Sequence, residues 1–356
     1  VRSSTLTFLA LIGSASFTGA VLDSVSLLKA QATQQTPVSQ SEAQHKISIN
    51  SELVVLPVTV KDRNGNLVAG LEQRDFRVFD DAAEQTIDVF TSEASPLSLV
   101  LLIDDDLKSR DAAQMAPSLS AIAAGVSLAD EAMVCHFDLL FYSGEAFTTD
   151  GDRLLADLKN AQKASEPSKA GPVPFVTPPS THTLTNEEPA PAAPTNLGSA
   201  PTKALDDAVF ESAQLLRGRG RNRRKVILLV SDGINGAVFN HHTYEETRNA
   251  LLSDNISVYG VAVGRNAFHS KFALMRNYAN DSGGDIYYAT RSDQMEKLYS
   301  RITEQARHEY TLAYVPRGHL ASSSYHVVRV ETTREGLLVE TRRGYYALAP
   351  TDVPKQ

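Results

Sequence analysis

Ser98-Leu-Val-Leu-Leu-Ile-Asp-Asp-Asp-Leu-Lys-Ser-Arg110 joins an unbroken apolar run, Leu99 to Ile103, to three consecutive carboxylates, Asp104, Asp105 and Asp106. A run this short and this apolar reads as a strand buried on both faces, as in a parallel sheet. Open α/β sheets keep their ligand crevice at the carboxyl ends of such strands, which is where the carboxylates fall. A second run, Val226-Ile-Leu-Leu-Val230, ends the same way in Ser231-Asp232-Gly233. Two such strands side by side bring Asp104, Asp106 and Asp232 together. What the chain does then turns on what neutralises those three charges.

Outward from the first strand, strands and helices alternate. Helices are expected at Ala112–Val126, Gly151–Ala164, Lys203–Leu216, near Thr243–Leu252, at Ser270–Asn280 and at Ser292–His308. Strands are expected at Leu97–Ile103, Met133–Tyr142, Val226–Val230, Ile256–Val263 and Ile286–Ala289. Repeated βα units of this kind imply an α/β fold with a doubly wound, mostly parallel, Rossmann-like sheet carrying helices on both faces. Residues 96–308 make up this domain. A stretch crowded with Pro and Ala, residues 165–201, interrupts it and reads as an extended insertion.

Either side of the α/β pattern the chain has β character. Residues 47–95 hold alternating runs at Val54–Val60, Phe76–Phe79 and Ile87–Phe90, with Asp62-Arg-Asn-Gly65 as a turn. Residues 309–349 hold Tyr310–Tyr314, His326–Glu331 and Leu337–Glu340, and residues 350–356 form a tail. A module of about 45 residues is too small to be secure alone. The two sets of strands are natural partners in one small sandwich-like module around the α/β domain.

The 356-residue chain carries a formal net charge of -8, which argues against a general nucleic-acid binder. Residues 1–32, with Arg2, the apolar core Leu6–Ile12 and small residues after it, read as an export signal. That core is too short and too interrupted for a membrane span, so no stable membrane insertion is expected after its removal. Residues 33–46, rich in Gln, Ser and Thr, read as a linker. Export places the protein in the periplasm or outside the cell. Cys135 is the sole cysteine, so no intramolecular disulfide forms; its apolar neighbours suggest a buried structural thiol.

The motifs resemble von Willebrand factor A (VWFA) domains, and among them exported bacterial proteins with a VWFA-related domain. The matching residues are Phe76-Arg-Val-Phe-Asp-Asp81 with Gln85-Thr-Ile87 and Phe90, then Leu101-Leu-Ile-Asp104, Ala204-Leu205 with Asp207-Ala208, and Ile227-Leu-Leu-Val-Ser-Asp-Gly233. Asn280 to Gly284, Tyr310–Pro316 and Arg343-Gly-Tyr-Tyr346 also fit. The resemblance implies a doubly wound fold with a metal-ion-dependent adhesion site at the strand ends, patterned Asp-x-Ser-x-Ser with a later Thr and Asp. It also implies a protein partner that completes the ion's shell. Oxygen ligands of this kind suit a hard divalent cation.

Position by position, the first Asp is Asp104 and the late Asp is Asp232. The two Ser positions hold Asp106 and Lys108, and the Thr position holds Lys203; Thr202 serves only if the register slips by one. A charged Lys has three donors and no lone pair, so it cannot coordinate a metal. Three Asp and two Lys leave a formal residual of -1 with no ion at all. The expectation is that Lys108 and Lys203 take the ion's place in a salt-bridge cluster, with no cofactor. The alternatives are a weak Mg²⁺ or other divalent site on Asp104, Asp106 and Asp232, or lysines turned to solvent. Binding of a protein partner, without catalysis and without a divalent ion, is the function expected.

Other features read as bland. The run Arg217-Gly-Arg-Gly-Arg-Asn-Arg-Arg-Lys225 has six positive charges in nine residues, suited to phosphate but placed as a solvated helix-to-strand turn. His241-His242 lacks the further ligands a zinc site needs and reads as loop histidines in solvent. No nucleophile elbow, phosphate loop or zincin helix occurs. A phosphoryl-transfer pair of Asp104 and Asp106, steadied by Lys203, is the rival enzymatic reading, and it needs a Mg²⁺ that Lys108 opposes.

Overall fold

A computed structural model describes residues 53–105, 107, 119–164, 203–220, 222–263, 272–289, 292–317 and 324–347. The expected signal segment, linker, Pro-rich insertion and tail lie outside the described residues, as do Asp106, Lys108 and the first part of the helix expected from Ala112.

The layer around Asp104 is a six-stranded sheet. Its strands are β5 (Leu97–Asp104), β6 (Glu131–Phe137), β7 (Phe141–Tyr142), β8 (Arg224–Ser231), β9 (Ile256–Val263) and β10 (Ile286–Ala289), in the order β10-β9-β8-β5-β6-β7. All are parallel except β7, which folds back antiparallel on β6. All eight residues of β5 and all eight of β9 are buried, which is why both read as unbroken apolar runs. Alternate residues face opposite sides. Leu99, Leu101 and Ile103 pack with Ile122, Leu154, Leu158, Tyr299 and Ile302, from the helices α1 (Leu119–Gly125), α2 (Gly151–Ala164) and α6 (Ser292–Arg307). Val100 and Leu102 pack with Leu205, Val209, Leu251, Met275 and Tyr278, from α3 (Leu205–Arg217), α4 (Tyr244–Ser253) and α5 (Ala273–Ser282). The doubly wound arrangement follows from this two-sided burial.

One sequence expectation needs correction here and another needs refining. Met133–Tyr142 is not one strand: Asp138 N–H donates to the Leu140 carbonyl at 3.0 Å, and Leu140 N–H to Asp138 Oδ1 at 2.8 Å, closing a turn between β6 and β7. The basic run does form the turn from α3 to β8, but its arginines are paired as well as solvated. Arg219 grips Glu131 and lies over the Phe147 ring at 4.5 Å, Arg217 pairs with Asp254 at 2.8 Å, and Arg224 pairs with Glu309 at 2.6 Å. It stitches the amino-terminal edge of the sheet, away from Asp104.

The strands outside the α/β layer form two four-stranded antiparallel sheets. One has the order β13 (Leu338–Thr341), β1 (Val54–Lys61), β11 (Tyr310–Tyr314), β4 (Val89–Thr91). The other has the order β14 (Gly344–Tyr346), β12 (Tyr325–Thr332), β2 (Phe76–Asp80), β3 (Ala83–Gln85). Each mixes strands from before and after the α/β layer. One core joins the two sheets, with Leu56, Val58 and Leu312 from the first and Val78, Val330 and Tyr345 from the second.

This sandwich and the α/β layer lie in one compact unit, Asn50–Gln356. Lys61 of β1 reaches Asp285 at 2.5 Å and Glu340 at 2.6 Å, a three-way contact between the layers. The Asn280–Gly284 motif has a packing reason: Gly283 ends α5 with φ +84°, and a Cβ on Gly284 would stand 2.0 Å from the Val258 carbonyl oxygen.

Leu102→Ala, at a fully buried central position, should cost about 2–5 kcal/mol in urea unfolding with an unchanged m-value. A loss below about 0.5 kcal/mol would contradict its place in the core.

Candidate functional site

Strand order fixes where the site lies. From β5 the chain moves one way to β6 and β7, then returns on the other side of β5 as β8, β9 and β10, so the switch point is between β5 and β8. Their register pairs Ile103 with Val230, which sets Asp104 beside Ser231 and one residue from Asp232. Both carboxylates leave the carboxyl ends of adjacent strands and enter the same crevice.

Lys203, just before α3, fills it. Its Nζ donates to Asp104 Oδ2 at 2.8 Å and to Asp232 Oδ1 at 2.9 Å. The side chains of Lys203 and Asp104 are 2% and 0% exposed, so the pairing is shielded from water. Ser231 Oγ donates to Asp104 Oδ2 at 2.6 Å, and the backbone N–H of Ile234 donates to Asp232 Oδ1 at 3.1 Å. The Lys203 main chain is held from both sides: its carbonyl accepts from Gly236 N–H at 2.7 Å, and Ala204 N–H donates to the Asp138 carbonyl at 2.9 Å. The loops after β6 and β8 are thereby tied to the residue between them.

A supporting layer lies behind. Asn235 Oδ1 accepts from Leu205 N–H at 3.1 Å and from Asn240 Nδ2 at 2.9 Å, while Asn235 Nδ2 donates to Asp206 Oδ2 at 2.8 Å. The Tyr278 hydroxyl donates to the other oxygen of Asp206. Burial pushes the Asp206 carboxyl above its ordinary value. His241 is exposed to solvent, as expected of a loop histidine, whereas His242 is partly buried. The backbone N–H and ring Nδ1 of each meet the Asp207 carboxylate, and the His242 ring stacks on Phe210 at 3.7 Å. They hold the β8 loop against α3. Cys135 is fully buried, and burial pushes its thiol up to about 11, so it is a packing group.

The electrostatics follow from burial. Burial pushes the Asp104 carboxyl up to about 6, and Lys203 and Ser231 pull it down without undoing that. Burial would lower the Lys203 ammonium, but Asp104 and Asp232 together raise it above its ordinary value. Lys203 therefore stays charged and has no lone pair for a metal. In this arrangement one oxygen of each carboxylate, Asp104 Oδ2 and Asp232 Oδ1, accepts from the ammonium between them. Asp104 is buried behind Lys203 and Ser231. Asp106 and Lys108 lie outside the described residues, so their part in the site is set by sequence alone. Ser231, Asn235 and Asp206 were not singled out from sequence, because a lone Ser or Asn carries no sign of which distant residue it will meet.

With its strand-end carboxylates at the switch point of a doubly wound sheet, the chain is similar to VWFA domains. No family model and no curated protein matches the chain. Among solved structures, a von Willebrand factor type A protein from Catenulispora acidiphila is 11% identical, with 85% of this chain and 76% of that one covered, at a TM-score of 0.41. The manganese-loaded TRAP protein of Plasmodium vivax is 15% identical over 74% of this chain and 99% of that one, at a TM-score of 0.39. An aerotolerance-related membrane protein of Bacteroides fragilis is 13% identical over 59% of this chain and 100% of that one, also at 0.39. Likenesses this distant bear on none of the site's chemistry.

The Asp104 carboxyl is ordinarily near 3.8 and stands at about 6 when folded, so between these values the folded state binds the extra proton. Its contribution to stability is therefore present below 3.8 and lost as pH rises through about 6. Stability relative to Asp104→Asn should fall on the order of 3 kcal/mol from about pH 4 to about pH 7 in denaturant titrations. A pH-independent difference would contradict the buried assignment. Lys203→Met, which strands two carboxylates, should cost about 3–5 kcal/mol at neutral pH.

Proposed function

We propose that this chain is a non-enzymatic protein-binding module of adhesion type, exported to the bacterial cell envelope, whose binding surface works without a divalent ion. The observation that carries the reading is the Lys203 ammonium, 2.8 and 2.9 Å from Asp104 and Asp232 at the switch point. In the adhesion site that the VWFA resemblance implies, the later Thr contributes a hydroxyl to the ion. Here that position supplies a fixed positive charge of its own. With Lys203 in place, Asp104 and Asp232 are left with a formal residual of -1 and no divalent ion to be completed by a partner's carboxylate.

The loops around the cluster are suited to direct contact. Leu140 after β6 is 62% exposed and Val238 after β8 is 84% exposed, with Leu139 and Tyr142 also exposed beside them. Both loops are hydrogen-bonded to Lys203–Ala204, so the apolar side chains are carried on a braced rim. Exposed apolar groups on loops held by a rigid sheet are the usual material of a protein interface. Shape and apolar contact would supply affinity, and the residual negative charge would favour a basic partner surface. Export rests on the pattern of residues 1–32, and among the described residues no helix is long and apolar enough to cross a membrane.

Two measurements test this. Titrating the chain with Mg²⁺ should give no saturable heat, whereas Lys203→Thr, which removes the ammonium and adds a hydroxyl, should gain Mg²⁺ binding. At about a hundredfold excess over Kd, Mg²⁺ should then stabilise that variant by about 2.7 kcal/mol. Tight one-to-one Mg²⁺ binding by the native chain, abolished in Asp104→Ala, would refute metal independence. Capture of an envelope partner should survive a chelator and be lost in Leu140→Asp and Val238→Asp variants of unchanged Tm. Capture that these variants leave intact would move the interface elsewhere.

A further inference from the structure

Away from the strand-end crevice, the sandwich brings together a second set of ligating groups. Asp80 ends β2, Asp81 opens the turn to β3, and His326 lies in the neighbouring strand β12. One donor atom from each lies within 4.8 Å of the other two. His326 Nδ1 is 2.7 Å from Asp81 Oδ2 and 3.9 Å from Asp80 Oδ1.

Asp80 is the telling member. It is 5% exposed, and its Oδ2 accepts from the Tyr314 hydroxyl at 2.9 Å and the Tyr345 hydroxyl at 2.8 Å. Its Oδ1 is buried and has no hydrogen-bond partner. A buried carboxylate oxygen without a donor is expensive, and such atoms are rare in folded proteins. The nearest candidate, His326 Nδ1, has one proton to give and stands at bonding distance from Asp81 instead. Among the described residues, no Lys or Arg forms an ion pair with Asp80 or Asp81.

We propose that Asp80, Asp81 and His326 form a binding site for a divalent transition-metal ion of the Zn²⁺ or Mn²⁺ kind. An ion among them replaces the Nδ1 proton as the link between His326 and Asp81 and gives Asp80 Oδ1 the partner it lacks. Two carboxylates and one neutral imidazole match a 2+ charge. The nitrogen ligand favours a borderline ion over Mg²⁺ or Ca²⁺, which take oxygen shells.

The surroundings orient all three ligands, as metal sites require. The two tyrosines fix Asp80. Asp81 Oδ1 accepts from Val327 N–H at 2.9 Å, leaving Oδ2 for the ion. His326 Nε2 meets Ser324 Oγ at 2.7 Å, so its remaining N–H has an acceptor once Nδ1 is a ligand. The His326 ring also stacks on Tyr345 at 5.3 Å. The Asp81 side chain is 54% exposed, which gives an ion a way in and leaves its open positions to water.

The test is calorimetric titration of the full chain with Zn²⁺ and, separately, Mn²⁺, with Mg²⁺ for contrast. One ion per chain should bind, and Mg²⁺ should not compete. Ser324→Ala should weaken binding about 10- to 100-fold, the usual range for a group that orients a ligand. His326→Gln should weaken it further, and Asp81→Asn, at an exposed turn and with unchanged Tm as the check on folding, should also do so. Binding should shift the His326 ring resonances in NMR spectra. Absence of saturable binding would overturn the site. Binding unchanged in Asp81→Asn and His326→Gln, or lost instead in Asp104→Ala, would do the same and place the ion elsewhere.

Discussion

The strand-end crevice is organised by one ammonium group held between two carboxylates. Asp104 and Asp232 leave adjacent parallel strands at the place where the sheet reverses its winding, and neither can be buried there alone. Charged groups taken out of water cost several kcal/mol each, and only close, well-oriented partners offset that. Lys203 is such a partner, and the surroundings serve to hold it. Its carbonyl and the following N–H are clamped by the loops after β8 and β6, and Ser231 takes part of the load on Asp104. The crevice has thereby become a braced internal contact, and the surfaces left for recognition are the loops that brace it.

Much of the fold was legible because it depends on burial. Two-sided burial writes itself into β5, β8 and β9 as apolar runs, and helices with one buried stripe fall between them. Gly151–Ala164 and Ile256–Val263 have the bounds the pattern predicts. The misses have local causes. Asp138-Leu-Leu140 is apolar enough to hide a turn whose key bond is an aspartate side chain accepting from its own backbone two residues on. β3, Ala83–Gln85, is short and mostly exposed, so it lacks any apolar period.

The site was legible only in part, and for a different reason. Strand ends announce their carboxylates, and alignment through Ala204-Leu205 and Asp207-Ala208 brings Lys203 to the position of a hydroxyl. The groups that position these residues belong to no motif. Asn235 joins Leu205 and Asp206, some thirty residues earlier, and Asp81 meets His326 across 245 residues of chain. Periodicity carries no information about such long-range polar partners. The arginine run shows the converse: Arg217, Arg219, Arg223 and Arg224 are charges whose partners, Asp254, Glu131 and Glu309, lie far off in sequence.

The interleaved sandwich has a consequence for biogenesis. Lys61 and Glu340, which meet on adjacent strands of one sheet, are 279 residues apart, and the strands paired with β1 are β11 and β13. During synthesis the first strands emerge long before their mates and must wait while the whole central layer is made. A nascent chain with unpaired edges invites association with its neighbours. The sandwich can therefore close only once β11 to β14 have been made, long after β1 and β2.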